Sequence, residues 1–323
     1  MPEPVRATTV SETAGKPDMA DLPAQLAQNP RDAAGARARF FNSGNAFNIK
    51  LPPVPGHIFT DPATRALADD TPTGFIACDQ ASAMACAFPA TTPLMLARYA
   101  TIAAGETLVS DFMASGSIWY VIKGHGTSAW NGEVVHWAPG DVVLLPGGSA
   151  ATHTATGRAV LWLVSNEPQL AVDQALPHAP SGGPIDLVHY PAAEIARQIG
   201  IIDGATANDT TSGLALIFSS DRLQAGRNIM PTLTLSLNTL PPGEHQRAHL
   251  HNSAAITLVL QGDTCFSMVD GRRCDWSPWA TLVTPPGVPH SHHNDGQSRA
   301  LFLIVQDGGL HYHARTMGFS FLE

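Results

Sequence analysis

The stretch Gly243–Asn294 constrains this chain more than any other. It opens Gly243-Glu244-His245-Gln246-Arg247-Ala248-His249-Leu250-His251 and closes Pro285-Pro286-Gly287-Val288-Pro289-His290-Ser291-His292-His293-Asn294. Between these ends lie two short apolar runs, Ile256–Leu260 and Cys265–Val269, followed by a hairpin-type turn at Asp270-Gly271. Alternate residues of a strand share a face, so His249 and His251 can reach one point in space. His290 follows a Pro/Gly turn and can swing in from a neighbouring strand. Three neutral imidazoles on such a scaffold suit a divalent first-row metal such as iron, manganese, copper or zinc. A lone His-x-His is often no more than a polar strand face. The pairing of Gly-x5-His-x-His with Pro-x-Gly-x2-His-x3-Asn carries the metal reading past that alternative.

The rest of the chain is punctuated in the same way. Strand patterns run over Leu94–Ala100, Thr107–Met113, Ile118–Lys123, Thr127–Trp130, Glu133–Trp137, Asp141–Leu145 and Ala159–Val164. Many short strands separated by turn signals mean a barrel or sandwich. The two halves can be laid over each other as an internal repeat. Gly105 falls on Gly243, Gly124 on Gly262, Asn131-Gly132 on Asp270-Gly271, and Pro146-Gly147-Gly148 on Pro285-Pro286-Gly287. Across that repeat, Asp111, Met113 and Ala151 stand where His249, His251 and His290 do. The first half has the frame without the ligands, and His125 and His153 are left to core or surface roles.

Four segments follow: an arm and linker over 1–60, a ligand-free barrel over 61–170, a linker over 171–210 and a metal-binding barrel over 211–323. The arm is predicted to hold one short helix near Met19–Gln28, with His57 as a surface or capping residue. The linker is predicted to hold another helix over Pro191–Gly200, whose apolar face is Ala192, Ile195, Ala196 and Ile199. With 323 residues, 44% hydrophobic and only 14% charged, the chain can bury a sizeable core and is no disordered tail. A net charge of −9 and a pI near 5.8 argue against nucleic acid as a partner. No apolar run approaches a membrane span and no signal pattern opens the chain, so the expected location is cytoplasmic. The four cysteines lack CxxC spacing and are read as reduced thiols.

The two histidine segments resemble the paired motifs of the cupins, small jelly-roll barrels. The fold this implies is all-β, two jelly-roll (cupin) β-barrels in tandem with short helical arm segments. The usual cupin carries a glutamate where this chain has Ala255 or Ile256. That glutamate-less pattern is similar to the gentisate, salicylate and 1-hydroxy-2-naphthoate 1,2-dioxygenases. Met230-Pro231-Thr232, Leu240-Pro241-Pro242-Gly243 and Gly318-Phe319 resemble the same group. There the first barrel usually carries the iron; here only the second has ligands.

The resemblance implies Fe(II), or Mn(II), held by His249, His251 and His290. Three histidines leave up to three positions on an octahedral metal for a chelating 2-hydroxybenzoate and O2. His292 shares the strand face of His290 and matches a histidine that contacts substrate. The arginine that the family carries six residues after the second ligand is Thr257 here. Arg247, Arg227 and Arg222 are the candidates to replace it, with Arg247 favoured because it alternates with His249 and His251, and an exposed strand charge as its other reading. The substrate implied is a salicylate-class acid, with a nitro or halo substituent or gentisate as candidates, and the assembly a homotetramer or homodimer. Two alternatives stand: a non-enzymatic cupin that binds a small acid, and a cupin dioxygenase or isomerase acting on a non-aromatic substrate. Gln261, Trp276 and Trp279 are expected to line or plug the barrel. His311-Tyr312-His313 is assigned to C-terminal packing or a subunit contact.

Overall fold

A computed structural model describes residues 16–47, 49–180, 182–206 and 213–322. The chain divides into two compact units, Met1–Leu51 and Pro52–Glu323. In the smaller unit the expected helix over Met19–Gln28 does not form. A single 3-10 turn, Met19–Asp21, ends at Leu22, which is extended at ψ 128 because Pro23 follows it. Gln25–Leu26 then pairs antiparallel with Arg39–Phe40 as a two-stranded sheet, across a connection that holds the short helix Ala33–Ala36.

The described residues of the larger unit form four antiparallel sheets in two pairs. The first pair joins a six-stranded sheet to a four-stranded one. The larger sheet runs, in spatial order, Val188–Tyr190, Val142–Pro146, Gly116–Lys123, Ala159–Ser165, Leu96–Ile102 and Gly74–Ala77. The smaller runs Thr107–Ser110, Ala151–Ala155, Gly126–Trp130 and Glu133–Trp137. The second pair repeats this plan. Its large sheet is Leu214–Phe218, Thr234–Leu240, Ala300–Gln306, Ala255–Gln261, Thr281–Thr284 and His57–Phe59; its small sheet is Arg272–Asp275, Cys265–Val269, His290–Asn294, His245–His251 and Phe319–Phe321.

Two strands lie outside the segments expected for their barrels. His57–Phe59, in the span read as linker, extends the second barrel by pairing with Thr281–Val283. Val188–Tyr190, between the barrels in sequence, extends the first by pairing with Val142–Leu144. The helix expected over Pro191–Gly200 forms as Ala192–Asp203. The hairpin signals hold in both halves: Asn131 and Gly132 have φ of 47 and 87, Asp270 and Gly271 φ of 51 and 72, the doubly left-handed turn that matches strand twist.

The central strands of the large sheets are buried on both faces. Tyr99, Ile118 and Trp162 of the first pack in one core with Leu237, Val283 and Leu303 of the second. The polar atoms there are paired: Tyr99 Oη lies 2.8 Å from Thr281 Oγ1, and Trp162 Nε1 donates to the same oxygen at 2.9 Å. The opposite faces of the large sheets line the two barrel interiors, and these differ. The first is filled by fourteen buried residues, Trp119, Trp130 and Trp137 among them. The second has a plug of six buried residues around Phe302, with Trp276 against it. All four cysteines are free, as expected.

Candidate metal centre

The hollow part of the second barrel is a cavity of about 430 Å³ lined by His249, His251, His290 and His292, within the range that takes a small organic ligand. His249 and His251 sit on one strand and His290 on its neighbour, directly opposite His249. One nitrogen from each of the three lies within 4.8 Å of the other two. Each ring is fixed from behind by a backbone carbonyl. His249 Nδ1 donates to Arg247 O at 2.7 Å, His251 Nδ1 to Ser253 O at 2.8 Å, and His290 Nδ1 to Val288 O at 3.0 Å. A neutral imidazole has one N–H, so spending it at Nδ1 leaves the Nε2 lone pair as the ligand atom.

Burial keeps these rings neutral. It pulls His251 down to about 4 and His290 to about 3, the latter also depressed by the charges His249 and His251 would carry. His249 is lowered by burial, opposed by its bond to Arg247 O. Protons therefore do not compete for the site near neutral pH. Three neutral nitrogens on rigid strands fit a divalent first-row metal, and no carboxylate completes the set: Ala255, at a position where a cupin glutamate would stand, lines the cavity. Among the described lining residues there is no Asp or Glu, and Arg227 is the one permanent cation.

The strand His245–His251 does not alternate throughout. Gln246 pairs with His292 and His249 with His290, so Arg247 and Ala248 on one strand stand against Ser291 alone on the other. This is a β-bulge. It turns Gln246 into the cavity and carries Arg247 away from it, where its guanidinium stacks 4.0 Å from the Phe321 ring. The simple alternation that favoured Arg247 as a carboxylate partner is thus broken one residue before the first histidine. Arg222 is also engaged elsewhere, paired with Asp186 at 2.9 Å. Of the three arginines, Arg227 is the one that lines the cavity, and it is exposed there.

The bulge also corrects the repeat. In the first barrel Ala151 pairs with Ser110, as His290 pairs with His249. Ser110, not Asp111, therefore holds the position of His249. The strand ends at Ser110 rather than continuing to Met113. No histidine stands at these positions. His153 is buried in the core and His125 is exposed.

His292 faces the cavity beside His290, as the strand period implies, with ring centroids 6.1 Å apart. Burial, then neighbouring His290, hold it well below the usual histidine range. His293 points to the other face, stacked on Phe266 at 4.5 Å. Asn294 fixes the turn, donating to Leu240 O, Pro241 O and Ser298 O. Of the expected plug residues, Trp276 packs on Phe302 at 5.0 Å. Trp279 belongs to the core between the barrels, and Gln261 is exposed, bonded to Arg299 O.

Among the described residues, three buried polar atoms on the cavity wall have no partner: Asn228 Oδ1, Gln246 Oε1 and Thr257 Oγ1. Gln306 Nε2 approaches His251 Nε2 at 3.3 Å. Tyr312, Met317 and Phe319 bring the C-terminal segment to the cavity, Phe319 stacking on His249 at 5.2 Å. Sequence patterns gave no signal for Asn228, Gln246, Gln306 or Tyr312. His311, in the second His-x-His, packs against Asn252 at 3.1 Å.

The cupin domain family matches residues 236–306, the body of the second barrel. A gentisate 1,2-dioxygenase from Ralstonia sp is 33% identical over 79 residues, 24% of this chain and 22% of that protein. A 5-aminosalicylate 1,2-dioxygenase from Comamonas sp is 23% identical over 254 residues, 67% of this chain and 65% of that protein. The aligned stretches thus span less than two thirds of these relatives' own length. Among solved structures, the salicylate 1,2-dioxygenase of Pseudaminobacter salicylatoxidans superposes with a TM-score of 0.70 at 16% identity, over 87% of this chain and 92% of that one. The same dioxygenase is also solved as adducts with gentisate. The chain has that fold, two cupin barrels in tandem. No helix of the described residues is long and apolar enough to cross a membrane.

Proposed function

We propose that this chain is an Fe(II)-dependent dioxygenase that opens the ring of a 2-hydroxybenzoate, inserting both atoms of O2 between the carboxyl-bearing and hydroxyl-bearing carbons. The observation that carries this reading is the convergence of three carbonyl-fixed histidines on one point of a cavity whose described lining holds no carboxylate. When bound by His249, His251 and His290, Fe(II) supplies the redox chemistry that links ring electrons to dioxygen. The similarity to gentisate and 5-aminosalicylate 1,2-dioxygenases supports the reaction class.

The protein's own part is positioning and electrostatics. A neutral ligand set and a described lining without Asp or Glu favour an anionic guest. Exposed Arg227 meets its carboxylate. Phe319, Met317 and Ile304 give the ring apolar walls. The unpaired carbonyl oxygens of Gln246 and Asn228 ask for hydrogen-bond donors. A nitro or halo group supplies none, whereas a hydroxyl or amino group does. This favours a hydroxy- or amino-substituted salicylate over the nitro- and halo-salicylates.

Oxygen uptake by the anaerobically Fe(II)-loaded chain tests the reading, with salicylate, gentisate, 5-aminosalicylate, 5-nitrosalicylate and 1-hydroxy-2-naphthoate as the panel. Uptake with a ring-opened product, absent from His249→Ala, is expected, with kcat/KM for the hydroxy and amino acids about tenfold above the nitro acid. Metal binding without uptake on any of these acids would sink it.

A further inference from the structure

The two barrels share a side-chain relay that the proposed reaction does not account for. In the second, Trp276 Nε1 donates to Ser267 Oγ at 2.8 Å, and that oxygen lies 2.7 Å from His292 Nδ1. In the first, Trp137 Nε1 donates to Ser128 Oγ at 3.0 Å, and Ser128 Oγ lies 2.8 Å from His153 Nδ1. The three positions match across the repeat. Ser128 pairs with His153 and Ser267 with His292 at the same register of equivalent strands.

An indole N–H can only donate, so it occupies a lone pair of the serine oxygen. Ser267 is fully buried, and its hydroxyl proton has the imidazole Nδ1 as its acceptor. Nδ1 is then the acceptor nitrogen of a neutral ring, and the ring proton sits on Nε2. The same logic holds for His153. There Nε2 meets Ser110 Oγ at 2.9 Å, so its N–H is used within the core. In the second barrel the residue at the Ser110 position is His249, whose Nδ1–H is given to Arg247 O. The serine that absorbs the histidine N–H in one barrel is a metal-site histidine in the other.

We propose that Trp276 and Ser267 are positioning residues, which hold His292 as the Nε2–H tautomer with its N–H directed into the cavity toward an anionic oxygen of the bound acid. The role toward that acid rests on the function proposed above; the tautomer does not. Long-range 1H–15N spectra of the full chain, 15N-labelled at histidine and loaded with diamagnetic Zn(II), read the tautomer directly, with His292→Gln assigning the signal. The expected pattern for His292 is Nε2–H. Ser267→Ala gives a mixed or exchange-broadened ring, and Ser267→Thr, which keeps a hydroxyl, restores it. In the Fe(II) protein, Ser267→Ala lowers kcat about tenfold with little change in KM. Ser128→Ala loses the same buried bonds in the first barrel and leaves kcat unchanged, which controls for a purely structural loss. An Nδ1–H signal in the unsubstituted protein overturns the proposal. So does a kcat in Ser267→Ala equal to that of Ser128→Ala. If no acid is turned over, the functional reading fails, and the spectra still decide the tautomer.

Discussion

The first barrel and the second hang a histidine from the same tryptophan and serine, yet one barrel is a packed core and the other a hollow with a ligand set. Three local differences account for this. Ser110 and Ala151 in the first stand at the positions of His249 and His290 in the second. Trp119 rests on His153 at 4.4 Å and helps fill the first interior, where the second is left open. One extra residue in the strand His245–His251 forms a bulge that brings Gln246 and His249 to the same face. Strand order, hairpins and the relay survive all three changes. The frame is therefore independent of the chemistry, and a few side chains on the two sheets of each barrel decide whether its interior presents three histidines or a packed core.

The largest contrast is expected from removing one histidine in each barrel. His290→Ala should abolish metal binding and lower ring-opening activity at least about 10³-fold, read by metal analysis and oxygen uptake. His153→Ala should keep metal and activity but take the imidazole partner from Ser110 Oγ and from the Ser128 hydroxyl, beside a new void. Its cost is about 2–4 kcal/mol in chemical denaturation. Loss of metal in His153→Ala would break the comparison.

A smaller effect separates the arginines. Arg227→Gln is expected to raise KM for the acid about 10- to 100-fold with metal content unchanged, the worth of one charge-assisted hydrogen bond. Arg247→Gln, on the far side of the bulge, should leave KM within about twofold. The reverse order would mean that the bulge does not set which residues face the ligand.

The smallest expected effect concerns a matched pair behind the sites. Asn166 Oδ1 accepts from Ser115 N at 2.9 Å in the first barrel; Asp307 Oδ1 accepts from Ala254 N at 2.8 Å in the second. Burial raises Asp307 from 3.8 to about 7. Between these values the folded chain holds a proton that the unfolded chain has released, so stability falls as pH rises through that window. Asp307→Asn copies the first barrel and removes this slope. Measured on metal-free protein by urea denaturation, the variant should lose about 2 kcal/mol less than the unsubstituted chain between pH 5 and 8. Equal losses would show that Asp307 does not titrate there.

Much of this fold is local and so was readable from the sequence. Asn131-Gly132 and Asp270-Gly271 can scarcely be anything but hairpin turns, and period-two patterns place strands between them. His249, His251 and His290 were recognisable because strand geometry brings i and i+2 together and a Pro/Gly turn precedes the third. What escaped the sequence is what depends on register or distance. A bulge leaves no compositional mark, so strict alternation turns Arg247 inward in place of Gln246 and sets Asp111 where Ser110 belongs. Pro23 was present to be read, and it limits the helix near Met19 to one turn. His57–Phe59 is too short to declare itself as a strand, and its partner lies in the second barrel. The cavity wall draws Asn228, Gln306 and Tyr312 from distant segments, which no periodicity links.

The most direct test of one working barrel beside one silent barrel is the number of Fe(II) ions bound per chain in anaerobic equilibrium dialysis. One ion per chain, reduced to none in His249→Ala, is the expected result. No ion in the unsubstituted protein, or one retained in the variant, would contradict it.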